Sequence, residues 1–327
     1  MDHNTNLFGH RTATPGAVAH FGHLTGDFSR IHFDHALGEA STHGRGFAHG
    51  LLSASWALGT MTLHAGDLLG CGDPGACISS FETRFHAPVL FGDTLALGCH
   101  EIESSAKDPG WTSRRSAFTF MNQNGEKTTS GSVVVHSREP DVPLSPWPES
   151  PEPGWAAGRY SPPGSGSAMG AEEMIEHGPR GSSPIRTVTE ADIVNFVNFT
   201  GELNPLYLNT VFAEGALFGE RIAPPMLCFS LGFSAWLREL MRLPLGGDPA
   251  NAGHLGDRWR FVAPVRIGDT LEVRYRPIAF RPTRSRPTLA VATFGLQLLN
   301  QREEVVQQGE VDMMLPVLDG EKRQGIE

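Results

Sequence analysis

Between residues 46 and 66 the chain reads GFAHGLLSASWALGTMTLHAG, with apolar residues recurring at Leu51, Ala54, Leu58 and Met61. That spacing predicts a helix. A second stretch, PPMLCFSLGFSAWLRELM at 224–241, is apolar almost all round. A helix of that kind has no side to turn to water and must be buried. After each helix the pattern changes. ISSFETRFHAPVL, GDTLALGCHEIESS, SAFTFMNQ and GSVVVHSRE follow the first, separated by turn signals such as Gly92-Asp93 and Asn124-Gly125. DRWRFVAPV, DTLEVRYRPIAF, TLAVATFGLQLLN and EEVVQQGEVDMML follow the second. These segments read as strands. A helix and then a meander of strands, twice over, predicts an α+β fold with a buried helix wrapped by antiparallel sheet in each half. The regular strand–helix alternation of a doubly wound fold is missing from both halves.

The two halves are copies. A shift of 175 residues lays residues 20–52 over 195–227 without a gap, so that Phe21 meets Phe196, Thr25-Gly26 meets Thr200-Gly201 and Gly44 meets Gly219. Further on, RFHAPVLFGDTL at 84–95 matches RFVAPVRIGDTL at 260–271, a shift of 176. Two gapless matches in one order mark an internal repeat. Residues 1–140 are read as the first domain and 181–318 as the second. Between them, 141–180 is rich in proline, glycine and serine and reads as a linker. Its Trp147 and Trp155 suggest that part of it packs against a domain surface. The polar end, 319–327, is expected to fray.

Composition narrows the function classes. The chain has 327 residues, enough for two domains of about 150 residues. It is 39% hydrophobic and 19% charged, as globular proteins are. A net charge of -10 argues against nucleic acid as the main partner and provides no basic face for a membrane surface. The first residues, MDHNTNLFGHRTATPG, show no signal-peptide pattern, and no apolar run approaches about 18 residues. A cytoplasmic location is expected. Cys71, Cys77, Cys99 and Cys228 make no CxxC spacing and read as reduced thiols. Fourteen histidines are present, and His20, His23, His32, His35, His43 and His49 crowd the first copy, in spacings that fit no usual zinc pattern. No metal and no cofactor is expected.

One segment stands out chemically. TGDFSRIHFDH at 25–35 places Asp27 and His32 five residues apart in a largely apolar stretch, and its twin TGELNPLYLNT has Glu202 and Tyr207 at the same positions. An Asp after glycine is most often a turn or capping residue. Asp34 is read that way, as a cap for the segment that follows. Together, TGDFSRIHFD, AHGLL and RFHAPVLFGDTL resemble the MaoC-type hydratases, the R-specific enoyl-thioester hydratases. That family places Asn-Pro after a Gly-Asp pair, a His five residues after the Asp, and then AHGM. The first copy departs from it with Ser29-Arg30 and Leu51. The second keeps Asn204-Pro205 but has Pro224-Pro225 for His-Gly. The resemblance implies the hot dog fold, a long helix in a curled antiparallel sheet, and for the fused pair a double hot dog.

It also implies an activity: interconversion of a 2-enoyl thioester and a 3-hydroxyacyl thioester, R-specific, on coenzyme A or an acyl carrier protein, within fatty acid metabolism. Adding water across that double bond needs groups that take and return a proton, for which an Asp and a His are suited. It also needs a donor for the thioester oxygen, and a backbone N–H at a helix start serves. By resemblance Asp27 and His32 are the catalytic pair and Gly50 the oxyanion donor. In the second copy Pro225 has no N–H to give, so one active site per chain is expected, with the second copy shaping the substrate tunnel. His49 and Arg30 are candidate substrate-binding residues, and Arg30 or Arg45 would pair with the second carboxylate of a dicarboxylic, mesaconyl- or methylmalyl-type substrate. The competing reading of Arg30 is a surface arginine. A non-catalytic acyl-thioester-binding subunit and a hot dog thioesterase are the alternative functions, and a homodimer is compatible with all of these.

Overall fold

The structure, a computed structural model, describes residues 7–41, 43–106, 110–139, 180–242, 253–283 and 288–316. The expected linker, with Trp147 and Trp155, lies outside these residues except for Arg180, and so does the expected polar tail.

The first half runs β1 (Phe8–Thr12), α1 (Pro15–Thr25), α2 (Arg30–Phe33), α3 (His35–Ala40), α4 (Gly50–His64), β2 (Ala76–Phe85), β3 (Thr94–Ala106), β4 (Trp111–Met121) and β5 (Lys127–Arg138). The second repeats it with β6 (Gly181–Thr187), α5 (Glu190–Thr200), α6 (Pro205–Leu208), α7 (Thr210–Glu214), α8 (Pro225–Leu240), β7 (Gly253–Phe261), β8 (Thr270–Pro282), β9 (Leu289–Leu299) and β10 (Val305–Pro316). The expected central helices are α4 and α8, and the eight expected strands are present. The hydrophobic pattern did not reveal the short strands β1 and β6 or the helices α1 and α5. No helix among the described residues is long and apolar enough to cross a membrane.

All ten strands join one antiparallel sheet in the order β1-β3-β4-β5-β2-β7-β10-β9-β8-β6. The order reads the same from either end once the repeat is applied. The seam is β2 against β7, where Ser80 pairs with Arg260 and Arg84 with Gly256. Each central helix lies against its half of the sheet and is buried from Leu51 to Met61 and from Pro225 to Leu237. Phe81, Phe118 and Phe120 fill the first half; Phe229, Trp236, Trp259 and Phe294 fill the second. This is a tandem, double hot dog.

The halves also grip each other reciprocally. Arg11 on β1 donates to the carbonyls of Phe199 and Thr200 at the end of α5. Its twin Arg186 on β6 donates to Leu24 O at the end of α1, and Arg238 on α8 donates to Gly26 O. Each helix end has carbonyls without intrahelical partners, and a cation suits them. A Cβ on Gly59 would collide with the Thr200 carbonyl, so α4 and the end of α5 meet backbone to backbone.

Candidate active site

Helix α1 stops at Gly26, which takes φ 82° and is therefore suited to glycine. The next residue is Asp27. Thr25 Oγ1 donates back to Phe21 O and accepts from the Asp27 N–H, which turns the chain inward. Gly22 lets Phe33 and the Asp27 carbonyl pass close by, since a Cβ there would clash with both. Asp27 is 5% exposed. Its Oδ1 accepts from the Ser29 N–H at 3.1 Å and from Ser29 Oγ at 2.5 Å.

The short helix α2 brings His32 to the same place. Its Nδ1 lies 3.0 Å from Phe47 O. A carbonyl only accepts, so Nδ1 carries the hydrogen and Nε2 keeps its lone pair. His49, 2% exposed, is the residue just before α4. Its Nε2 donates to the Asp27 carbonyl at 3.0 Å, and its ring centre is 4.0 Å from that of His32. Donor atoms of Asp27, His32 and His49 all lie within 4.8 Å of one another, a spacing that could also hold a metal ion.

Burial raises the Asp27 carboxyl, but the imidazoles of His49 and His32 and the two Ser29 hydrogen bonds outweigh it and hold the group below its usual range. Burial, and then the neighbouring His49, push His32 down to about 3. Burial likewise lowers His49. Both imidazoles are thus neutral at pH 7, and the Ser29 bonds are what continues to favour the carboxylate there. Gly50 is the first residue of α4, so its N–H belongs to the turn whose donors lack intrahelical acceptors. The tip of the Phe85 ring lies 3.0 Å from where a Cβ on Gly50 would be.

Of the residues singled out by sequence, Asp27, His32, His49 and Gly50 come together. Arg30 does not join them. Its side chain is 80% exposed and pairs with Asp34 at 2.6 Å. Arg45 is exposed too and donates to Phe91 O. Asp34 caps α3 through the Leu37 N–H. Sequence reasoning noted Ser29 only as a departure from Asn-Pro. In the second copy Asn204 at that position caps α6 through the Leu206 N–H. Ser29 instead turns its hydroxyl back onto Asp27, a choice available to a short side chain that does not cap.

The second copy keeps the frame without the groups. Glu202 is 1% exposed, and neither carboxyl oxygen has a hydrogen-bond partner within reach among the described residues. Burial pushes it up to about 8, which the nearby Tyr207 hydroxyl offsets only in part. Pro225 opens α8. A pocket remains here, lined by Ile78, Tyr207, Phe218, Pro225, Phe261 and Gln307.

Comparison with known proteins bears on the fold and the family. A 3-hydroxybutyryl-CoA dehydratase from Methylorubrum extorquens is 34% identical over 40% of this chain and 75% of its own length. An (R)-specific enoyl-CoA hydratase from Rhodospirillum rubrum is 32% identical over 45% of this chain and 98% of its own. Among solved structures, a MaoC domain protein from Chloroflexus aurantiacus superposes with a TM-score of 0.69 at 18% identity, covering 97% of this chain and 95% of that one. A Mycobacterium tuberculosis protein described as having a double hot dog fold gives a TM-score of 0.65 at 15% identity, over 96% of both chains. The family described as MaoC like domain matches residues 4–110 and again 172–286. The chain therefore belongs to the MaoC-like domain family and carries that domain twice.

Proposed function

We propose that the protein is a hydro-lyase that interconverts a 2-enoyl thioester and a 3-hydroxyacyl thioester at a single site, in the first half. The observation that carries this reading is the Asp27–His32 cluster beside the first turn of α4. Two hydrogen bonds of ~2.8 Å diverging from one water oxygen reach acceptors about 4.5 Å apart. A cluster whose members lie within 4.8 Å of one another therefore suits one water held between the Asp27 carboxylate and the His32 imidazole.

In the hydration direction the water oxygen bonds to the β carbon. One water proton passes to the Asp27–His32 pair. The double-bond electrons move toward the thioester oxygen, where the Gly50 N–H and the positive end of α4 stabilise the charge. The α carbon then takes a proton back from the pair, and water has been added with nothing left over. A neutral His32 accepts at pH 7 and, once protonated, returns its proton readily because its imidazolium is acidic. Dehydration is the reverse.

The names of the two relatives favour coenzyme A as the carrier, and one of them favours the R product. In the second half Glu202, Tyr207 and Pro225 provide neither the pair nor the N–H, so that pocket is non-catalytic. Arg30, in solvent and paired with Asp34, fits a surface arginine better than a ligand for a dicarboxylic substrate.

The test is hydration of crotonyl-CoA, followed by loss of the enoyl-thioester absorbance. Asp27→Asn and His32→Ala should each lower turnover by ~10²–10⁴ with the fold intact. Near-normal hydration by either variant overturns the proposal. Release of free thiol in place of hydration assigns the site to a thioesterase, and binding without either reaction assigns it to a binding subunit.

A further inference from the structure

Resting on the hydro-lyase reading, we propose that His254, from the second half, is a substrate-contacting specificity residue of the first half's site. It selects acyl thioesters whose chain carries an oxygen that hydrogen-bonds its Nδ1.

The internal repeat locates it. The pocket of the second half is lined by Ile78, Tyr207, Pro225 and Phe261. Under the same repeat offsets those residues become His254, His32, Gly50 and Phe85. The sheet explains the exchange between halves. Strands β2 and β7 run antiparallel across the seam, so the start of β7 lies beside the end of β2. By this correspondence the site of the first half takes part of its wall from the other copy, as the second half's pocket takes Ile78 from the first.

Direct contacts agree. The His254 ring centre is 4.7 Å from that of Phe85, whose tip covers Gly50. Its other neighbour is Phe233 of α8, stacked at 4.6 Å and 23°.

The side chain is held in one orientation. His254 Nε2 donates to Asp257 Oδ1 at 2.7 Å, and Thr83 Oγ1 donates to Asp257 Oδ2 at 2.7 Å. Thr83 and Asp257 face each other directly across the seam. The Asp257 side chain is 0% exposed and that of His254 11%. Nδ1 is the remaining nitrogen, and no described residue bonds it.

The twin positions give the contrast. Where the catalytic pocket has His254 and Asp257, the other half has Ile78 and Phe81. A wall for a plain hydrocarbon chain is better made of such apolar residues, because burying polar groups costs free energy unless each is paired. A buried carboxylate that locks an imidazole at the edge of an acyl pocket suits a substrate with its own polar atom. If Nδ1 accepts, that atom belongs to a hydroxyl; if it donates, to a carboxylate.

The experiment is calorimetric binding of butyryl-CoA, 4-hydroxybutyryl-CoA and succinyl-CoA to the full chain. The wild type should bind one of the oxygenated thioesters about tenfold more tightly than butyryl-CoA, the value of one hydrogen bond. His254→Phe should bring that ratio to about one. Because His254→Phe leaves Asp257 short of a donor, His254→Leu/Asp257→Val, which removes both polar groups, is measured alongside. Whichever oxygenated tail is preferred distinguishes the hydroxyl from the carboxylate. No preference in the wild type, or a preference unchanged in the folded variants, overturns the inference. Crotonyl-CoA hydration by the wild type is measured in parallel. Turnover without a tail preference defeats this inference alone, and a tail preference without turnover defeats the hydro-lyase reading alone.

Discussion

Ser29 and Glu202 occupy equivalent neighbourhoods in the two halves and show how single side chains set charge. Ser29 gives Asp27 two hydrogen bonds, one from its hydroxyl and one from its backbone. Both favour the carboxylate. Ser29→Ala removes the hydroxyl bond, so Asp27 should titrate higher. The acid limb of kcat/KM should move up by about one pH unit, given about 1.5–3 kcal/mol for a bond to a charged group and about 1.36 kcal/mol for each pH unit. An unmoved acid limb would remove Asp27 as the group that must be ionised. Glu202 presents the opposite case. Its folded value of about 8 lies above the ordinary 4.5. Below pH 4.5 the group is protonated in both states and costs nothing. Between 4.5 and 8 the unfolded chain releases the proton more easily, so stability falls as pH rises, and above 8 the loss is complete. Glu202→Gln should abolish this loss. Its advantage over wild type in urea denaturation should grow from near zero at about pH 3.5 to several kcal/mol at about pH 8.5, at about 1.4 kcal/mol for each pH unit that separates the folded and unfolded values. An advantage that does not vary with pH would mean that Glu202 is solvated or paired.

Turns and helix starts show the same economy at the scale of the element. Each half closes its β4–β5 or β9–β10 hairpin with an asparagine whose Oδ1 accepts two backbone N–H groups: Asn122 from Asn124 and Glu126, Asn300 from Arg302 and Glu304. The left-handed residue is Gly125 in the first hairpin, at φ 75°, and Glu303 in the second, at φ 59°. A non-glycine residue there costs about 1–2 kcal/mol, part of which glycine gives back in chain entropy. Glu303→Gly should therefore stabilise the protein by ~0.5–1 kcal/mol, read as a rise in the denaturation midpoint at constant slope. A fall would show that the 82% exposed Glu303 carboxylate, 4.0 Å from Arg274, matters more than its backbone. The helix starts differ where the chemistry does. Gly50 opens α4 with an N–H, and Pro225 opens α8 without one.

Across the whole molecule, each half holds the other's loop. Arg186 and Arg238 of the second half fix the end of α1, one residue before Asp27, while Arg11 of the first fixes the end of α5 before Glu202. The two grips look alike, yet only the first bears on the proposed catalytic pair. Arg186→Met/Arg238→Met should lower turnover on crotonyl-CoA by about tenfold or more, since small misplacements of reacting groups are costly. Arg11→Met should lower stability while leaving turnover within a few-fold. Equal losses of turnover in both would mean that the second half's loop takes part in the reaction.

Much of this protein follows from sequence order alone. The two gapless matches establish the duplication, because each copy must satisfy the same packing independently. The helical spacing of Leu51, Ala54, Leu58 and Met61 predicts one helix, the nearly all-apolar stretch 224–241 requires a buried one, and the strand-like segments after each predict a sheet around them. Asp27, His32 and Gly50 stand out in the sequence because their twin positions hold Glu202, Tyr207 and Pro225, the last with no N–H to give. The short edge strands β1 and β6 do not, since five to seven residues of mixed polarity carry too little pattern and are defined by the neighbour that they pair with. Nor could sequence show that Ser29 bonds Asp27 and does not cap a helix, since both are ordinary uses of a serine. It could not bring His254 against Phe85 of the other copy. That contact exists because β2 and β7 pair antiparallel at the seam, which sends the first residues of one copy's strand to the last residues of the other's.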